Sequence, residues 1–208
     1  MANQRKRLTT NVEGNFFVDY TCINCDTCRQ LAPLSFREIG EYSSVSHQPV
    51  TEREMLEAYR SLLACPVGSI GTVHSNKNLF FQAQKSFPLH LEDEVYYTGF
   101  NSEKSFGASS YFIHHPEGNW LIDSPRYVRP LLEAFDRMGG IKYIFLSHED
   151  DVAEAARYAS QFNAIRIIHV HDAEAMPGVE WTVNERHPIQ MSPDFLIIPV
   201  PGHTPGSM

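Results

Sequence analysis

The sequence predicts an α+β protein in two domains, and three observations carry that prediction. All four cysteines lie at or before position 65. Beyond residue 95, short apolar runs alternate with stretches of helical periodicity, the pattern of a sheet with helices packed on it. Between the two, residues 74–94 mix polar residues with short apolar pieces and show no clear period, which places a junction near residue 85. The expected domains are therefore residues 1–84 and 85–208.

Composition narrows the function classes. A hydrophobic share of 42% against 20% charged is that of a globular chain able to bury a core. The net charge of -8 leaves no basic surplus to neutralise phosphates, so nucleic acid is not an expected partner. The one basic cluster, Arg5-Lys6-Arg7, reads as a frayed terminus. No apolar run reaches the length of a membrane span, and residues 1–10 lead into no apolar signal core, so a soluble cytoplasmic protein is expected.

Taken in order, "FFVDYTC" reads as a short strand running into the first cysteine. "TEREMLEAYRSLLA" reads as a helix. Thr51 stands three residues before Glu54, a capping-box pattern, and Met55, Leu56, Tyr59, Leu62 and Leu63 form an apolar stripe. That helix delivers Cys65. In the second domain "VYYTGF", "SSYFIHH" and "NWLIDS" read as strands, the last two joined by a "PEGN" hairpin turn. "YVRPLLEAFDRMGG" is a helix with Pro130 in its first turn and Gly139-Gly140 as its stop. "IKYIFLSH" is a buried strand, "DVAEAARYASQF" a helix, and "AIRIIHV" and "DFLIIPV" further strands, the last running into "PGHTPGSM". The sum is a mixed sheet.

The cysteines carry the strongest chemical signal. "CINCDTC" sets Cys22, Cys25 and Cys28 at C-x2-C-x2-C spacing, and Cys65 is followed directly by Pro66. Three thiolates from one tight loop and one remote thiolate can converge on the small volume of an iron–sulfur cluster. Zinc modules more often bring cysteine pairs from two knuckles, and two disulfides would need an oxidising compartment. The cluster reading is preferred over both.

These residues resemble a single-cluster bacterial-type ferredoxin domain over residues 14–73. The resemblance implies one 4Fe-4S cluster on Cys22, Cys25, Cys28 and Cys65, with Asp26 between ligands rather than at a ligand position. In the second domain, "LIDS" with Asp123, His148 after "YIFLS", and "PGHTPGS" with His203 resemble the metallo-beta-lactamase superfamily. That resemblance implies the N-terminal half of an αββα sandwich, with the chain expected to be truncated at Met208, and metal-ligand roles for His148 and His203. The superfamily pattern H-x-H-x-D-H, laid on from His148, meets Asp150, Val152 and Ala153. The flavodiiron pattern H-x-E-x-D-H fails at Val152 and Ala153 too, so a standard two-metal centre is not expected.

His148, Asp150 and His203 are donors enough for one zinc, iron or manganese ion, the carboxylate leaning toward the harder ions. An alternative stays open for Asp150, since it or Asp151 could cap the helix that follows. His203, between Gly202 and Thr204, has no evident packing role and reads as a ligand. His169 and His171 alternate along a strand end, so one of them at most, preferably His171, is expected to face a site. His114 and His115 are expected at the surface. Asp123 either orients a ligand histidine or bonds turn amides.

Two functions from different classes follow. One is a metal-dependent hydrolase of a small-molecule ester, thioester or amide, with the cluster as a structural or redox appendage. The other is an electron-transfer or redox-sensing protein that meets a redox partner, its second domain a binding or mononuclear iron module.

Overall fold

Three successive apolar residues at 16–18 start the N-terminal unit because all three find cover. In the computed structural model, which describes residues 2–208, Phe16–Val18 form strand β1 and every one is buried. The chain divides into one unit of Met1–Leu89 with Gly99–Ser109, and another of His90–Thr98 with Ser110–Met208.

In the first unit, helix α1 (Thr27–Leu31) is followed by a hairpin of β2 (Phe36–Ile39) and β3 (Tyr42–Val45). Helix α2 (Glu52–Ala64) has the predicted capping box in full: Thr51 Oγ1 accepts from Glu54 N while Glu54 reaches back to the Thr51 amide. Its buried face sets Tyr59 edge-on to Phe16 at 5.1 Å. Strand β4 (Ile70–Thr72) then pairs antiparallel with β1. Gly71 is required there, because a Cβ would meet the Phe17 ring at 2.7 Å.

The expectation of no periodic element in residues 74–94 needs correcting. Helix α3 (Lys77–Lys85) lies there, capped by Asn76 Oδ1, which accepts from Leu79 N at 3.2 Å. It buries Leu79 and Ala83, one i,i+4 pair, and so short a stripe leaves little periodicity to read. Strand β5 (Leu89–Glu92) follows.

The second unit is built on a seven-stranded sheet. Strands β6 (Val95–Tyr97), β7 (Tyr111–Ile113) and β8 (Trp120–Ile122) pair antiparallel in succession, with the predicted hairpin between β7 and β8. Helix α4 (Arg129–Arg137), with Pro130 in its first turn, crosses to β9 (Tyr143–Phe145), parallel to β8. Helix α5 (Ala155–Phe162) crosses to β10 (Ile165–His169), and β11 (Trp181–Val183) completes the parallel half. The strand order is β11-β10-β9-β8-β7-β6-β5. Strands β12 (Ile189–Ser192) and β13 (Phe195–Ile197) form a separate hairpin. Of these two, the sequence reading identified only β13.

Side-chain alternation assigns the two faces of this sheet. Phe112, Leu121 and Ile144 stand in one register across three strands, all fully buried. Phe135 of α4 stacks on Phe112 at 5.0 Å on that helix-covered face. On the other face Trp120, Phe145, Ile167 and Val183 cluster with Ile197, and Phe195 stacks on Trp120 at 4.3 Å. The order of layers is thus helices, sheet, hairpin. This is the arrangement expected of one half of an αββα sandwich with the second sheet begun.

Candidate cluster and metal sites

The first site follows from how the "CINCDTC" loop turns. Asn24 and Asp26, between the cysteines, take left-handed backbone conformations at φ 56° and 70°, which Asn and Asp tolerate better than other side-chain-bearing residues. Arg29 fixes both, reaching Asp26 Oδ1 and Asn24 Oδ1 at 2.5 Å. Hydrogen bonds from Gln30 and Arg29 hold the Asp26 carboxyl below its usual range. Cys28 sits in α1, and Cys65 caps the C-terminus of α2, its N–H donating to Ser61 O at 3.0 Å.

None of the four cysteines is in a disulfide, and all four line one small pocket, with Val18, Ile23, Val67 and Ile70 as its apolar wall. Donors point at the sulfurs: Ser69 N lies 3.3 Å from Cys65 Sγ and Asn24 N 3.4 Å from Cys22 Sγ. Burial, reinforced by the neighbouring sulfurs, pushes the Cys28 thiol up to about 12. A set of bare thiolates is therefore disfavoured here, and cationic iron bound to all four sulfurs meets that need. The donor set fits a cubane cluster.

The second site collects residues from two loops of the second unit. His148 leaves the end of β9, with Asp150 in the short 3-10 turn Glu149–Asp151. His203 comes from the loop after β13, and its Nε2 lies 2.9 Å from Asp150 Oδ2. His148 Nε2 is 3.6 Å from the same oxygen, and one donor atom from each of the three residues lies within 4.8 Å of the others. Four ligands about 2.1 Å from a tetrahedral ion would stand roughly 3.4 Å apart. The observed separations bracket that value, so the trio fits one ion. Val152 and Ala153 bring no donor.

The alternative role for Asp150 does not hold. Helix α5 begins only at Ala155, Glu154 at its cap position makes no side-chain cap, and Ser124 Oγ instead accepts from Glu154 N at 3.1 Å. The two acids lie a turn too early, and Asp150 turns to the histidines. Asp151 is buried beside His148, with its carboxylate 3.5 Å from Nδ1, and burial raises its pKa.

Asp123 orients from behind. Its carboxylate accepts from Ser147 N at 2.8 Å and Ser147 Oγ at 3.0 Å, and Ser147 Oγ lies 3.0 Å from His148 Nδ1. It thus reaches the candidate ligand through one hydroxyl, and burial lifts its own pKa to about 7.

Two further expectations change. His169 ends β10, but the chain then turns into a 3-10 helix, Val170–Ala175, so the strict alternation of a strand stops. The His169 and His171 rings accordingly come together at 4.8 Å and line the same cavity. His115 is not a free surface residue: its side chain is 9% exposed and its Nε2 lies 3.1 Å from Asp194.

Sequence reasoning missed Asp172. Only 1% exposed, it accepts from Glu149 N at 3.2 Å, beside His148, and from Thr204 Oγ1 at 2.6 Å, beside His203. One carboxylate therefore ties together the two donor-bearing loops. Gly206 is needed opposite it, since a Cβ there would stand 2.6 Å from Asp172 Oδ1. Ser207 Oγ accepts from Thr204 N at 3.1 Å and closes the loop. Nothing local in the sequence marks this residue, which stands three positions beyond the histidine that ends β10.

Residues 18–72 match the family model described as the 4Fe-4S single cluster domain of ferredoxin I. The first unit carries a ferredoxin domain. No curated protein matches the chain. Solved structures similar to it are metallo-beta-lactamases. One, from Cronobacter sakazakii with its HARLDQ motif mutated, is 21% identical, with TM-score 0.46 over 58% of this chain and 57% of that one. A subclass B3 enzyme of Bradyrhizobium japonicum is 19% identical, with TM-score 0.43 over 60% and 56%. One from Elizabethkingia meningoseptica is 16% identical, with TM-score 0.46 over 58% and 53%. The chain thus spans little more than half the length of these structures. No helix among the described residues is long and apolar enough to cross a membrane.

Proposed function

We propose that the protein is an iron–sulfur protein in which a 4Fe-4S ferredoxin domain accompanies a one-metal hydrolase domain acting on a small-molecule ester, thioester or amide. The observation that supports the second part is the convergence of His148, Asp150 and His203. Cys22, Cys25, Cys28 and Cys65 would hold the cluster, and the imidazole and carboxylate donors one zinc, iron or manganese ion. Such an ion supplies Lewis acidity and makes water a stronger acid at neutral pH. The chain's own part is positional. Asp123 and Ser147 hold the His148 ring from its Nδ1 side, leaving Nε2 toward Asp150. Asp172 fixes the distance between the two loops. The His203 side chain is 69% exposed, so the trio is open on that side to an approaching substrate.

Metal and sulfide analysis of anaerobically purified protein, then turnover of an ester and thioester panel by wild type and His148→Ala, tests this. The expected result is four cluster irons, one further metal, and turnover lost in the variant with the cluster intact. Unchanged turnover in His148→Ala would remove the hydrolase assignment.

A second reading, electron transfer or redox sensing with the second unit as a binding or mononuclear iron module, is supported by a complete set of cluster ligands beside a metal site with no donor at Val152 or Ala153. A reversible cluster signal without hydrolysis across the panel would favour it.

A further inference from the structure

Gly99–Ser109 connects β6 to β7, both strands of the second unit's sheet, yet it packs as part of the first unit. Within it Asn101 is fully buried, its Nδ2 donating to Gly107 O at 2.7 Å and to Thr27 Oγ1 at 3.0 Å. Thr27 Oγ1 in turn lies 3.5 Å from Cys25 Sγ. The segment's backbone sits on the ligand loop itself. Gly107 has φ +87°, and a Cβ there would fall 2.9 Å from Cys25 Cβ and 3.0 Å from Pro66 Cγ.

Resting on the cluster assignment above, we propose that Asn101 and Thr27 form a hydrogen-bond relay that ends on the Cys25 sulfur and raises the cluster's reduction potential. The direction of the relay follows from donor counting. A threonine hydroxyl has one hydrogen, and Asn101 occupies an acceptor position on Thr27 Oγ1. A cluster-bound Cys25 is a thiolate and cannot donate, so the Thr27 hydrogen is the one that lies between oxygen and sulfur. Polarised by Asn101, the hydroxyl becomes a better donor. A hydrogen bond to a ligand sulfur favours the more negative, reduced state of the cluster and moves its potential upward. Asn101 is a positioning residue, because it acts on the sulfur only through Thr27. A ferredoxin module limited to residues 18–72 lacks this contact, since Asn101 is supplied from between β6 and β7.

The test is a spectroscopically monitored redox titration of the full-length, anaerobically purified protein as wild type, Thr27→Val, Thr27→Ser, Asn101→Leu and the Thr27→Val/Asn101→Leu double variant. The midpoint potential should fall in Thr27→Val, stay at the wild-type value in Thr27→Ser, and fall in Asn101→Leu. The double variant should show no further drop beyond the larger single effect, because both substitutions interrupt one relay. A wild-type potential in Thr27→Val holding four irons and four sulfides overturns the relay, as does an equal shift in Thr27→Ser. Should Asn101→Leu not fold, the Thr27 pair decides alone. Wild-type protein without iron and sulfide would overturn the cluster assignment itself, a different result from a cluster indifferent to Thr27.

Discussion

The cluster site and the His148–Asp150–His203 site are assembled on opposite plans. Three candidate cluster donors come from one seven-residue loop, and the fourth ends a helix fixed by its own capping box. The trio in the second unit joins Asp150 to His203 across 53 residues, and its spacing depends on Asp172, which belongs to neither donor loop. The four cysteines are half-buried or buried in an apolar wall, whereas His203 stands largely in solvent. A site made locally is set by chain geometry, and a site made from distant loops by whatever third group holds them together.

The sharpest way to break this comparison is to remove a donor from the local site. Cys65→Ala should abolish the cluster outright. Three thiols leave one iron without its protein ligand, and the buried Cys28 thiol, already pushed up to about 12, has less cation to bind it. Iron and sulfide content, with the visible absorbance of the cluster, should drop to background. Retention of a full 4Fe-4S complement in Cys65→Ala would show that Cys65 is not a ligand.

At the distant site a residue that is not itself a candidate donor should matter. Asp172→Ala removes the acceptor shared by Glu149 N and Thr204 Oγ1, so His148 and His203 lose their common anchor. Supporting groups of this kind are worth about 10–100-fold in metal affinity. Loss of the two buried bonds should cost about 1–3 kcal/mol of stability. Competition titration with zinc and thermal unfolding measure the two effects. Gly206→Ala should act in the same direction and less strongly, because its Cβ pushes the Asp172 carboxylate aside without deleting it. Wild-type zinc affinity in Asp172→Ala would refute the tie between the loops.

What could be read in advance divides along the same line. The cysteines, the α2 capping box and the β7–β8 turn are local patterns, and each is found where the sequence places it. Helix α3 was missed because two buried residues make no visible stripe, and β12 because its four residues lie between Pro188 and Pro193. His148, Asp150 and His203 were legible as candidates through motif resemblance, but the outcome at Asp150 depended on where α5 begins. A helix start set by Ser124, from the end of β8, is not visible in the residues around Asp150. Asp172 and Asn101 carry no local pattern at all: their roles exist only once distant segments meet.

The smallest expected effect separates the looseness of the second site from the stability of the unit that bears it. Arg166 of β10 donates twice to Glu180, from Nε at 2.9 Å and Nη2 at 2.7 Å, and Glu180 also accepts from Arg166 N at 2.8 Å. These bonds pull the Glu180 carboxyl down to about 2, from a usual 4.5. A depressed carboxyl pKa contributes stability that is complete above the unfolded value and lost as pH falls through the folded one. The Glu180 side chain is 43% exposed, so solvent screening keeps the pair's worth to about 0.5–1 kcal/mol. Glu180→Gln should therefore lower the melting temperature by a few degrees at neutral pH. The gap between variant and wild type should shrink between about pH 4.5 and pH 2, where the wild-type carboxyl itself becomes protonated. Zinc affinity at neutral pH should stay at the wild-type value, since the Arg166 side chain bonds Glu180, Met176 and Gly178 rather than His148, Asp150 or His203. A fall in affinity parallel to the fall in stability would mean that the whole unit, rather than Asp172, sets the distance between His148 and His203.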